Sequence, residues 1–141
     1  EATAFGALTI IRRIEESRVR IDEVVVCGGI AEKSPLTMQI YADVCNRPMK
    51  VAASAQTCAL GAAIFGTVAS GAHPDTLTAQ AAMVAPPKTT YTPTPSAVAV
   101  YAELYELYMR LHDAFGSRDG VTSLVVVMKT LLAIRERSRM D

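Results

Sequence analysis

The residues best placed to do chemistry lie in "VVVCGGIAEKSPLTMQIYADV", Val24 to Val44. An apolar run, Val24 to Cys27, stops at Gly28 and Gly29. Lys33 and Ser34 follow, and then an amphipathic stretch. Where the carboxyl end of a strand faces the amino end of a helix, free N–H groups point outward and the helix dipole adds partial positive charge. One such end favours an anion by about 0.3–1 kcal/mol. Two glycines remove the Cβ atoms that would hold a phosphate off the backbone. Lys33 and Ser34 could add donors. The pattern fits a nucleotide-phosphate cradle. It also fits a tight βα turn that needs positive φ and binds nothing. Two sharper motifs are excluded. There is no G-x-G-x-x-G, and the second strand ends in Ala53-Ser54 with no acidic residue for a ribose. There is no G-x-x-x-x-G-K-[ST] either.

Other reactive side chains are sparse. Cys27, Cys45 and Cys58 are an odd number with no CxxC spacing, and they read as reduced, mostly buried thiols. Cys27 reads as a core residue, with no base behind it to make a nucleophile. His73 and His112 are far apart and lack a nearby cysteine, so a zinc site is not expected. Gln56 and Thr57 suit capping and loop bonding, and Gly61 suits helix packing. The 14 Lys and Arg balance the 14 Asp and Glu, which gives no reason to expect nucleic acid or an anionic membrane as partner. No basic-then-apolar start is visible. The apolar region from Ala59 to Ala72 is too short to span a bilayer. The chain starts at Glu1 in what already reads as a helix, so a piece of a longer protein is expected.

The elements that must position these residues follow from periodicity and caps. With 141 residues, half of them hydrophobic, one sizeable core is expected. Ala2 to Arg18 reads as a helix with Ala4, Phe5, Leu8 and Ile11 inward. Val24 to Cys27 shows no polar alternation and predicts a strand covered on both faces. Ser34 followed by Pro35 predicts a helix start, a hydroxyl cap and then a proline where no N–H is needed. Leu36, Ile40 and Val44 form its stripe, with Met38, Tyr41 and Cys45 beside it, and it ends near Asn46 to Pro48. Met49 to Ala53 reads as a second strand. Thr57 reads as the next N-cap, for a helix from Cys58 to Ser70 that carries Leu60, Ile64 and Val68 and ends at Gly71. The order helix, strand, helix, strand, helix implies a parallel or mixed sheet with helical layers. Thr76 to Met83 predicts a short helix, and residues 84–95 a Pro/Thr-rich ordered loop. Ser96 to Phe115 predicts an amphipathic helix with Tyr101, Leu104, Tyr105, Tyr108, Leu111 and Phe115 on its inner face. Gly116 ends it. The tyrosine stripe reads as core, since an RNA-binding surface would need basic residues interleaved. Thr122 to Arg137 predicts a last helix on the spacing of Leu124, Met128, Leu131 and Arg135.

Two stretches, "CGGIAEKSPLTMQIYADVCNRP" and "VAASAQTCALGAAIFGTVASG", resemble the C-terminal half of sugar kinases of the FGGY family, members of the actin-like ATPase superfamily. "EATAFG" is similar to the helix that follows the family's second signature, and "YAELYELYMRLHDAFG" continues the likeness. It runs from Glu1 to about Phe115 and loosely to Arg135. Within the family it is nearest to the pentulose subgroup that acts on L-ribulose. The resemblance implies an α/β, ribonuclease-H-like C-terminal lobe over residues 1–141, truncated on its N-terminal side. That lobe has a parallel or mixed sheet flanked by helices, with an extra helical part at 96–137.

The resemblance further implies that the strand, Gly-Gly turn and helix form the adenosine-binding motif, which makes Gly28, Gly29, Lys33 and Ser34 the candidate nucleotide contacts. Many relatives have a third glycine and a shorter turn where this chain has Ile30 and one extra residue, so Lys33 and Ser34 stay as alternatives. The parent enzyme is implied to be cytoplasmic and to transfer the γ-phosphate of ATP, with Mg, to a hydroxyl of a pentulose, L-ribulose first. A carboxylate across the cleft would take the sugar proton. The residues holding metal, triphosphate and sugar lie mainly outside this chain, so no catalytic residue or metal ligand is assigned and the chain alone is expected to be inactive. A homo-oligomer stays open; nucleic acid and membrane are not expected. Another FGGY kinase, of xylulose or glycerol type, is one alternative. A non-catalytic nucleotide-binding or assembly module is another.

Overall fold

The computed structural model describes residues 1–116 and 127–138. In chain order the elements are α1 (Ala2–Glu16), β1 (Val24–Val26), α2 (Gly29–Lys33), α3 (Pro35–Cys45), β2 (Met49–Val51), α4 (Thr57–Ala69), α5 (Thr76–Met83), β3 (Thr89–Tyr91), α6 (Pro95–Gly116) and α7 (Val127–Arg137). They form two compact units. One comprises Glu1–Arg20, Asp43–Asn46 and Pro93–Asp141, the other Ile21–Ala42 and Arg47–Thr92.

The second unit is an α/β arrangement around a mixed sheet of order β1-β2-β3. β1 and β2 run parallel, with Val24 opposite Met49 and Val26 opposite Val51. β2 and β3 run antiparallel, with Met49 opposite Tyr91. Alternation along the strands puts Val26 and Val51 on one face. There they pack with Ala31 of α2 and Met38 and Tyr41 of α3, beside Tyr91. The all-apolar β1 is not covered on both faces as its composition predicts. Val25 points to the other face and is 60% exposed. Helices α2 and α3 cover only the first face, and the α4–α5 pair leaves a groove over Val25.

The caps explain most boundaries. Ser34 Oγ lies 2.7 Å from Thr37 Oγ1 and 3.4 Å from the Thr37 N–H, so the hydroxyl sits at the start of α3 as predicted. The stripe of α3 is rotated from the expected one. Leu36 is 72% exposed, while Met38, Ala42, Val44 and Cys45 are buried. Asn46, at φ 48, takes the left-handed conformation that stops the helix. Helix α4 starts one residue earlier than expected: Thr57 is its first residue and Gln56 its N-cap, with no side-chain capping bond. Gly71, at φ 79, ends it. The Gly71 N–H donates to Val68 O at 3.0 Å, and the Ala72 N–H to Thr67 O at 2.9 Å. Asp75 caps α5, its Oδ1 accepting from the Thr78 N–H at 2.7 Å. That bond holds the Asp75 carboxyl below its ordinary range. The Pro/Thr-rich stretch contains a strand the sequence reading does not contain, β3, whose threonines suit a pleated edge.

The cysteine expectation is corrected as well. Only Cys45 is buried, and Cys27 and Cys58 are exposed. β1 ends at Val26, so Cys27 falls in the turn rather than in the strand.

The first unit is helical. α1 buries Ala4, Phe5, Leu8 and Ile11, the four residues its period selects. The Phe5 ring meets those of Tyr101, Tyr105 and Tyr108 at centroid distances of 6.2, 6.1 and 5.4 Å. The Arg12 guanidinium lies over the Tyr105 ring, 4.3 Å from its centre. A second face of α6 packs Leu107, Leu104 and Val100 against Val127, Leu131 and Ile134 of α7. Two partners require two faces, which one tyrosine stripe does not describe. Accordingly Leu107 is buried, while Phe115, expected inside, is 82% exposed. The Asp43 carboxylate is buried and accepts from the Thr94 N–H at 2.7 Å, one residue before α6. Residues 122–126 of the expected last helix lie outside the described residues. No helix among the described residues is long and apolar enough to cross a membrane.

Candidate functional site

Because β1 and β2 are parallel, their carboxyl ends reach the same edge of the sheet. The turn after β1 holds Gly28 and Gly29. Gly28 has φ 94, a conformation that favours glycine, and it forms the N-cap of α2. Gly29 opens the five-residue helix α2, which the sequence reading does not contain. No atom lies within 4 Å of a Cβ built on either glycine. The backbone here is therefore open to a ligand. The positive φ shows that the turn also has a conformational use for Gly28.

The other two predicted residues fare differently. Lys33 is the last residue of α2 and is exposed. Ser34 is half-buried, and its hydroxyl is engaged with Thr37. All four lie on one continuous turn–helix–turn segment. Ser34 is occupied by capping, and Lys33 is the one of the pair with a side chain in solvent.

Two features escape the sequence reading. The first is an ion pair on α2: Lys88 Nζ lies 2.9 Å from Glu32 Oε1. The second is a groove of about 560 Å³ on the open face of the sheet, lined by Val25, Ser54, Thr57, Leu60 and Gly61 among others. Gly61 thus borders open space in this chain, with nothing within 4 Å of its missing Cβ. Among the described residues no group of three or more His, Cys, Asp or Glu could hold a metal ion.

Comparison with known proteins decides the family. Residues 1–70 match the model of the FGGY family of carbohydrate kinases, C-terminal domain. The chain belongs to the FGGY family of carbohydrate kinases. It is 43% identical over 143 residues to a ribulokinase from Anoxybacillus flavithermus, an alignment covering 99% of this chain and 24% of that protein. It is 47% identical over 111 residues to a ribulokinase from Vibrio parahaemolyticus, covering 79% of this chain and 20% of the relative. A ligand-bound xylulose kinase from Lactobacillus acidophilus superposes with a TM-score of 0.59 at 25% identity, over 71% of this chain and 20% of that one. The chain thus spans about a quarter of the length of the FGGY ribulokinases it matches (24% for the first). The matched residues 1–70 include the glycine turn, both parallel strands and α4.

Proposed function

We propose that this chain is the ATP-binding, C-terminal lobe of a sugar kinase, of the ribonuclease-H-like type, with Gly28 and Gly29 facing the nucleotide. The observation that carries this reading is the open backbone of that turn, at the carboxyl end of a parallel strand, in an FGGY chain. ATP supplies the phosphoryl group; this chain supplies backbone N–H groups that approach it without steric hindrance. Lys33, at the far end of α2 from the turn, is exposed and is the polar candidate with a side chain in solvent. Ser34 serves α3 first. The donor set for a divalent ion is assigned to the remainder of the enzyme, as are the catalytic carboxylate and the sugar contacts.

The acceptor is proposed to be a pentulose, L-ribulose first, in the cytoplasm. The ribulokinase relatives at 43% and 47% identity support this over the xylulose kinase at 25%. The test is to incubate the full-length kinase with ATP and a panel of pentuloses, hexuloses and glycerol and to measure ADP release. Turnover with L-ribulose well above the rest is expected, and none from the 141-residue chain alone, because half a cleft cannot orient both reactants. Preference for another sugar overturns the substrate assignment. ADP release by the isolated chain overturns the division of labour.

A further inference from the structure

Helix α2 carries the glycine turn and also an acid. Glu32 lies three residues beyond Gly29, about 4.5 Å further along the helix. That is inside the Debye length of about 8 Å at physiological ionic strength. An unpaired carboxylate less than one helical turn along the backbone from Gly29 would repel a polyphosphate approaching the turn. It is paired: Lys88 Nζ sits 2.9 Å from Glu32 Oε1. The main chain of Lys88 is fixed, its N–H donating at 3.0 Å to the carbonyl of Val51, the last residue of β2. Its side chain borders a hollow of about 280 Å³ that Ala31, Val51, Thr89 and Tyr91 also line. Ala31 beneath is buried against Met38 and Val51, which anchors α2 and keeps Glu32 near the turn.

We propose that Lys88 is a positioning residue for the nucleotide: by pairing with Glu32 it cancels the one acid on α2 and lets a polyphosphate approach the Gly28–Gly29 turn. This rests on the nucleotide reading above. Lys88 acts through Glu32 and not by touching the ligand. The two side chains are 54% and 29% exposed, so the effect is modest and falls with salt.

The test is made in the full-length kinase. Lys88→Met removes the charge and keeps most of the stem, and Lys88→Gln gives the same comparison if Lys88→Met melts early. The ATP KM should rise about fivefold at low salt while the sugar KM stays put. Glu32→Gln added to either variant should bring the ATP KM back. Lys88→Arg should keep it near the parent value, and high salt should shrink the difference. An unchanged ATP KM in Lys88→Met and Lys88→Gln overturns the proposal. So does a rise that Glu32→Gln fails to reverse, which is what a merely structural strap would give. Gly29→Val measured in parallel separates the two claims. If it raises the ATP KM and the Lys88 variants do not, only the masking role falls. If Gly29→Val also leaves the ATP KM unchanged, the nucleotide reading falls.

Discussion

The Ala52 N–H donates to the carbonyl of Val26 at 2.9 Å. This bond carries the parallel ladder one residue past the end of β2 and holds the two strand ends side by side. The turn after β1 and the turn after β2 therefore leave the sheet at one edge. At that edge Gly28 and Gly29 offer backbone without side chains, immediately after the end of β1. The nucleotide reading depends on this arrangement.

The open face of the sheet predicts association. Val25 and Val84 are exposed large apolar side chains, and both line the groove of about 560 Å³ together with Leu60, Ile64 and Met83. Contiguous apolar surface on this scale drives self-assembly. The chain alone should sediment as a concentration-dependent oligomer, and Val25→Glu should shift it toward monomer. A clean monomer at every concentration would contradict this.

Two glycines at the end of α4 should respond in opposite directions. Gly66 lies inside the helix with nothing within 4 Å of a built Cβ. Gly66→Ala should stabilise by roughly 0.5–1 kcal/mol, because alanine has less backbone freedom to lose. Gly71 is equally uncrowded but sits at φ 79. Gly71→Ala should cost roughly 1–2 kcal/mol. Urea unfolding of both variants checks the pair, and equal signs would mean that the helix end is not as described.

Much of this layout was legible in the sequence, because caps and breakers act locally. Ser34-Pro35, Asn46 and Gly71 mark their helix ends through their own side chains or φ values. Gly28 and Gly29 were legible for the same reason. What escaped depends on distant partners. Glu32 and Lys88 are 56 residues apart, and no local pattern joins them. The exposure of Val25 depends on what covers the sheet, not on its neighbours in sequence. β3 is three residues long and lies between prolines that read as loop. The second face of α6 was hidden by its tyrosines, which describe only the packing against Phe5.

Tyr101 gives the helical unit an alkaline limit. Its hydroxyl donates to Glu1 Oε1 at 3.2 Å. Burial first, and then the negative charge of Glu1, raises its pKa from 10.0 to about 12. The folded form keeps this proton longer than the unfolded chain does. The contribution is therefore intact below pH 10 and is lost as pH rises toward about 12. Stability against urea should fall across that window, and less steeply in Tyr101→Phe. Parallel slopes in the two proteins would show that Tyr101 does not titrate as described.

The most direct measurement is the pair of Michaelis constants of Gly29→Val in the full-length kinase. Gly28 would confound the test, since at φ 94 any side chain strains the turn. Gly29 is not in the left-handed region, and no atom lies within 4 Å of its built Cβ. Valine there fits the fold and fills only the space in front of the turn. With a nucleotide seated at the turn, the ATP KM should rise about tenfold or more, the sugar KM should stay nearly unchanged and the thermal melt should stay close to the parent's. A folded Gly29→Val enzyme with the parent's ATP KM would contradict the nucleotide reading.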